Sequence, residues 1–206
     1  MTETMGRRER KKAQTRKALS DAAMRLFTER GYDNVGVRDV AEEADVAVTT
    51  LFKHFPSKEA LIFDEDEGRE AALVAAVRDR APGQSVLDAL RDHLMQTRMA
   101  FRGDPPEFTA MMKLVDETPA LQEYLHRMWR RHETALAAAI TEATGAPEGD
   151  VRVAALARFV MESPSLVHGR EDPRRALDEI FDLLEHGWKT AHGEPLDSGG
   201  SHVPWP

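Results

Sequence analysis

The apolar residues of this chain recur at three- and four-residue spacing almost from end to end, and that habit confines it to helices. Ala18, Leu19, Ala22, Ala23, Leu26 and Phe27 form one stripe, the mark of a helix buried on one side. Gly31 follows as a C-terminal stop. Val37, Val40, Ala41 and Ala44 make a second, short stripe. Thr50, Leu51 and Phe55 make a third, closed by Pro56, because the residue before a proline is pushed out of the helical region. Ser57 is placed to cap a new helix with Glu59 in its first turn. Ala60, Leu61, Ala71, Leu73, Val74 and Val77 carry that helix toward Pro82 and Gly83.

The rest of the chain repeats this punctuation. Ser85 with Asp88 reads as a capping box before Val86, Leu87, Leu90 and Leu94. Gly103, Asp104, Pro105 and Pro106 interrupt the pattern ahead of Met111, Met112 and Leu114. Thr118 and Asp172 are each followed by a proline, a cap with proline at the first helical position. Between them lie a long helix ending near Gly145 and another over Asp150 to Val167. Leu177, Ile180, Phe181, Leu184 and Trp188 form a one-sided stripe. The expectation is an all-α chain of about nine helices with no strand, and a disordered tail over 193–206.

Composition narrows the chemistry. The 206 residues include no cysteine, which excludes disulfide scaffolds, cysteine zinc sites and thiol nucleophiles. No apolar run approaches the roughly 20 residues a membrane span needs, and no apolar stretch follows the basic start as a signal peptide requires. A cytoplasmic location is expected. The net charge of −8 argues against a nucleic-acid partner only as an average. The first 58 residues hold 12 basic and 9 acidic side chains, and the other 148 hold 16 and 27. Arg7, Arg8, Arg10, Lys11, Lys12, Arg16 and Lys17 are opposed nearby only by Glu9. Such an arm is either a solvated terminus or a phosphate-contacting segment, and an acidic body would keep all but the basic end away from a polyanion.

The most specific stretch is VRDVAEEADVAVTTLFKHFPSKEAL, Val37 to Leu61. Two short helices, Val37–Glu43 and Val48–Phe55, are separated by the turn Ala44–Ala47. That is helix-turn-helix spacing, in which the second helix enters the major groove. Val40, Ala41, Val46, Leu51 and Phe55 supply the apolar contacts, leaving Thr49, Thr50, Phe52, Lys53 and His54 outward. Hydroxyls and lysine suit phosphates, lysine suits guanine, and the thymine methyl accepts apolar contact.

The stretch resembles the DNA-binding domain of the tetracycline-repressor (TetR) family. The matching positions are Val37, Val40, Ala41, Ala44, Val46, Thr50, Leu51, Phe52, His54, Phe55, Ser57, Lys58, Glu59 and Leu61. The preceding helix, ending Phe27 to Tyr32, matches as well, so the resemblance covers about residues 12–72. It departs at Gly36 for a usual Thr, Asp45 for Gly, Ala47 for the Ser cap, and Phe52 for Tyr. Asp45 tolerates a left-handed turn. Ala47 loses a cap worth roughly 0.5–2 kcal/mol, for which Asp45 or Thr49 would have to compensate.

The resemblance implies a basic arm over 1–11, a three-helix DNA-binding domain over 12–72 and an effector-binding, dimerising domain over 73–192. It implies DNA contacts from Thr50, Phe52, Lys53 and His54, with Thr49 on a base edge or backbone and Arg38 on a phosphate or base. Lys58 would hold a phosphate, and Arg16 and Lys17 would add nonspecific phosphate affinity. The bland counterparts are core packing for His54 and simple solvation for Lys53. The implied partners are a palindromic operator in double-stranded DNA, a second copy of the chain and a small-molecule effector. No catalytic residue, metal, cofactor or membrane partner is implied.

In the second part, flexible methionines suit an adaptable apolar pocket. His93, Met95, Met99, Phe108, Met112, Tyr124, Met128 and Trp129 are candidates to line it, or to form ordinary core. Leu156, Val160, Ile180, Phe181, Leu184 and Trp188 are candidates for a dimer interface closing a four-helix bundle, or for packing within the chain. Glu123 and His126 form one Glu-x-x-His pair, but a helical di-iron enzyme needs two, and no second pair occurs. The same residues also admit a regulator controlled by a protein partner, and a DNA-binding protein with a purely architectural role.

Overall fold

A computed structural model describes residues 6–64, 66–99, 106–167 and 170–191. Residues 1–5 and the tail 193–206 lie outside the described residues, as do the side chains of Met99, Phe108 and Trp188. Nine α-helices and no strand occur among the described residues. They are α1 (Arg7–Arg30), α2 (Val37–Glu43), α3 (Val48–His54), α4 (Asp66–Arg78), α5 (Val86–Met99), α6 (Pro106–Glu117), α7 (Pro119–Thr144), α8 (Val151–Val167) and α9 (Pro173–Ala191). Single 3-10 turns occupy Tyr32–Asn34 and Glu59–Leu61.

The chain divides into two compact units, one of residues 1–70 with 101–131 and one of 71–100 with 132–206. In the first unit, α1 contributes Leu19, Ala23, Leu26 and Phe27 to a core shared with Val40, Ala41, Leu51, Phe55 and Leu61. Leu114, Val115 and Leu121, from α6 and the start of α7, join the same core. The second unit packs Leu73, Val77, Leu90, Leu136, Ile140, Ala157, Val160, Leu177 and Phe181.

Two of the caps read from sequence, Ser85 and Asp172, are present. Ser85 Oγ accepts from the Asp88 amide at 3.0 Å, and Asp172 Oδ1 accepts from the Arg175 amide at 3.0 Å. Helix α8 carries Pro164 in its interior. A proline cannot donate to the carbonyl four residues back, which here belongs to Val160. The buried Ser163 hydroxyl donates to that oxygen at 2.8 Å instead. The helix therefore continues past the proline without leaving a buried acceptor unmet.

One predicted element is corrected. No continuous helix runs from Ser57. Ser57 Oγ does accept from the Ala60 amide at 3.3 Å, but the segment makes only the 3-10 turn Glu59–Leu61, and α4 starts at Asp66. Leu61, Ile62 and Phe63 are three consecutive apolar residues, of which the first two are buried and the third partly so. A helix would spread them over most of its circumference; interrupting it lets all three meet the core.

Candidate nucleic-acid interface

Helix α1 starts at Arg7, so the basic residues of the arm are helical from there. Arg7, Arg8, Arg10, Lys11 and Lys12 are all exposed. Glu9 spends its carboxylate on the Gly6 amide at 3.1 Å. Several cations at a helix N-terminus oppose both one another and the dipole, which leaves this end of α1 a strongly positive surface.

The helix-turn-helix is built from local rules. Gly36 is extended and receives no side-chain cap, but the Asp39 carboxylate accepts its amide at 2.6 Å. Helix α2 ends in a Schellman motif: the Val46 amide bonds Ala41 O at 2.9 Å and the Asp45 amide bonds Glu42 O at 3.0 Å. Asp45 has φ +52°, the left-handed conformation that the turn requires. No side chain caps α3, so neither Asp45 nor Thr49 replaces the serine that Ala47 lacks. Helix α3 begins on backbone bonds alone, from Thr50 and Leu51 to Ala47 O at 2.8 and 3.2 Å.

Leu51 of α3 and Phe55 just after it are buried, while Thr49, Phe52 and Lys53 are exposed. Thr50 and His54 are half-buried. The His54 Nδ1 is buried with no hydrogen-bond partner. Burial, and then the cations Arg16 and Lys12, hold its imidazole below the ordinary value. Arg38, on α2, is exposed. A short helix thus presents a hydroxyl, an aromatic ring and an ammonium outward, beside the cationic end of α1. This arrangement suits a polyanion with readable base edges.

A family model described as bacterial regulatory proteins of the tetR family matches residues 19–64. A second, the MftR C-terminal domain, matches residues 84–189, more than half of the chain. The chain belongs to the TetR family. The HTH-type transcriptional regulator TcmR of Streptomyces glaucescens is 34% identical over 59% of this chain and 57% of that protein. The HTH-type transcriptional repressor KstR of Rhodococcus jostii is 37% identical over 48% of this chain and 46% of its own length. The chain therefore spans about half the length of these curated relatives. The crystal structure of a TetR-family regulator from Streptomyces coelicolor A3 shares the fold, with a TM-score of 0.56, 22% identity, and coverage of 84% of this chain and 93% of that one.

Two cations of the TetR-like motif have other partners. Arg16 NH1 donates to His54 O at 2.8 Å and NH2 to Asp64 O at 2.6 Å, while Nε pairs with the Asp64 carboxylate. Its guanidinium also lies 4.5 Å from the Phe55 ring centre. Every donor-bearing nitrogen is engaged inside the unit, so Arg16 fastens α1 to the end of α3. Lys58 donates to Tyr32 O at 2.6 Å and sits 3.8 Å over the Tyr32 ring. Burial lowers its ammonium below the ordinary value, against Asp33, Glu59 and Asp39. Lys58, expected at a phosphate, has its ammonium turned onto the turn after α1. Lys17 remains exposed and pairs with Asp21 at 2.6 Å.

The expected pocket set does not gather within one unit. Met112, Tyr124, Met128 and Trp129 belong to the first unit, and His93 and Met95 to the second. Tyr124 stacks on Phe63 with ring centres 5.2 Å apart, and Met95 packs on the second core. His93 lines an open cavity of about 370 Å³ between α4 and α5, with Ala72, Ala75, Ala76, Gln84, Ala89, Asp92 and Gln96. Burial holds its imidazole below the ordinary value. Glu123 pairs with Arg127 on the exposed side of α7, and among the described residues no further ligating side chain joins it with His126.

Of the residues expected at a dimer interface, Val160 and Phe181 are 0% and 2% exposed and belong to the second unit's own core. Leu156, Ile180 and Leu184 are only partly buried against that core. The apolar side chains left outward on α8 are Val151, Phe159 and Leu166, 76%, 54% and 59% exposed. With the exposed Ala155 they fall on one stripe at spacings of four, four and seven residues. Helix α8 thus carries more apolar residues than one face can bury.

Proposed function

We propose that this TetR-family chain is a homodimeric, sequence-specific transcriptional repressor acting in the cytoplasm. It binds a palindromic operator in double-stranded DNA and leaves it when a small, largely apolar ligand binds. The observation that carries this reading is the exposed face of α3, with Thr49, Phe52 and Lys53 outward beside the cationic start of α1. A groove-inserted helix needs such a face, and a buried one would not present it. The names of its relatives support repression: KstR is a transcriptional repressor and TcmR a transcriptional regulator.

The α8 stripe supports a two-fold partner. An isologous interface uses the same patch twice, and two recognition helices roughly 34–36 Å apart reach successive major grooves. The open cavity beside His93 supports ligand control, since its four alanines offer apolar wall and Gln84, Asp92, His93 and Gln96 offer polar groups for orientation. Release then follows from a ligand that favours an arrangement whose two α3 helices no longer match the groove spacing.

The test is selection of bound fragments from random genomic DNA with the purified protein. Enrichment of one palindrome whose half-sites lie about 10 bp apart is expected. Retention of DNA without any enriched sequence overturns the regulator in favour of a nonspecific, architectural binder.

A further inference from the structure

We propose that Phe52 reads thymine: its ring packs on the C5 methyl group of one thymine in each operator half-site and so fixes an A·T pair in one orientation. The proposal rests on the DNA-binding reading above and adds the base that this face selects. Among the described residues four large apolar side chains stand exposed, and three of them belong to α8. Phe52, 50% exposed, is the only one in the first unit.

Folding leaves half of the ring uncovered. Leu51 and Phe55 carry the packing of α3 at 0% and 1% exposure. No aromatic partner meets Phe52 among the described residues. Thr49 and Lys53, three residues before and one after, are exposed on the same face and break up any apolar surface of the size that a protein partner covers.

The chemistry of the groove then narrows the choice. A phenyl ring without a hydroxyl has nothing to donate to a phosphate. The major groove offers one apolar group, the methyl of thymine. Adenine is ordinarily read by the carboxamide of Asn or Gln, and neither residue occurs in α2 or α3. Lys53 and Arg38 are donors only, suited to guanine or phosphate. Thr49 and Thr50 can hydrogen-bond either base, so what sets thymine apart for these two helices is apolar contact with its methyl group, and Phe52 is the large apolar side chain that stands exposed on them.

The experiment uses the full-length protein and the operator that selection yields. Each thymine is replaced singly by deoxyuridine, which removes only the methyl group. One position per half-site is expected to lose affinity about fourfold, the cost of one buried methyl, and the symmetric double replacement about fifteenfold. Phe52→Ala, checked for folding by circular dichroism, is expected to bind the thymine and deoxyuridine operators equally. In the wild-type protein, 5-methylcytosine paired with guanine at that position is expected to bind tighter than unmethylated cytosine. An operator with no methyl-sensitive thymine overturns the proposal and leaves the regulator standing. So does a sensitivity that persists in Phe52→Ala. Failure to select any operator removes both.

Discussion

Arg16→Met separates two roles for one cation. Methionine keeps an apolar stem of similar length and deletes the guanidinium. The deletion removes charged donors from His54 O and Asp64 O, at 2.8 and 2.6 Å, the ion pair to Asp64, and the cation over Phe55. A hydrogen bond to a charged group contributes about 1.5–3 kcal/mol. Cation–π contact adds about 0.5–1 kcal/mol. The ion pair adds no more than about 1 kcal/mol, since its side chains are 31% and 26% exposed. These contributions share one group and do not add, so the expected loss is about 2–4 kcal/mol. Hydrogen exchange at the Leu51 and Phe55 amides reads it directly: protection should fall about 30- to 1000-fold, at tenfold per 1.4 kcal/mol. The logarithm of DNA affinity against the logarithm of salt should keep its wild-type slope, because no phosphate contact has gone. Lys53→Ala, at an exposed cation, should lower that slope by about 0.9 per phosphate released. Unchanged protection together with a slope reduced by about 0.9 per subunit, about 1.8 for the dimer, would make Arg16 a phosphate ligand and refute the fastening role.

Two further outcomes follow from burial. Phe159→Lys should raise the dimer dissociation constant by at least ~100-fold in sedimentation: each half-exposed ring carries about 100 Å² at about 25 cal/mol/Å², twice in a symmetric interface. A variant as dimeric as the wild type would put the interface off this stripe. For His54, burial is the main cause of its lowered value, followed by Arg16 and Lys12. Its neutral form is thus favoured on folding, so its stabilising share is complete above the ordinary 6.5 and is lost as pH falls from there through the folded value. His54→Gln should flatten the loss of stability below pH 6.5, and an unaltered pH profile would show that the imidazole titrates freely in the folded chain.

How far the sequence was legible depended on what kind of partner each residue took. The bounds of α2 and α3 were readable because their determinants are local. Asp39 lies three residues from the amide it accepts, and Asp45 is a residue type that tolerates φ +52°. The fates of Arg16 and Lys58 were not readable. Their acceptors are the main-chain oxygens of His54, Asp64 and Tyr32, and every residue carries such an oxygen. Charge in the sequence announces a cation, and only the fold says whether a carbonyl has already claimed it.

The same reasoning explains why an apolar stripe identifies a helix face more surely than its neighbour. Helix α8 has apolar residues on two sides, and periodicity weighs Val153, Ala157 and Val160 no differently from Val151, Ala155 and Phe159. The first three are buried in the second unit's core and the last three exposed. Stripes that folding consumes lose their value as interface candidates, and those left outward gain it, since exposed apolar area costs solvation that only a partner can recover. Phe52 follows this rule in miniature. The residue that α3 does not need for its own packing is the one whose substitution by Ala should leave the helix standing and change what it recognises.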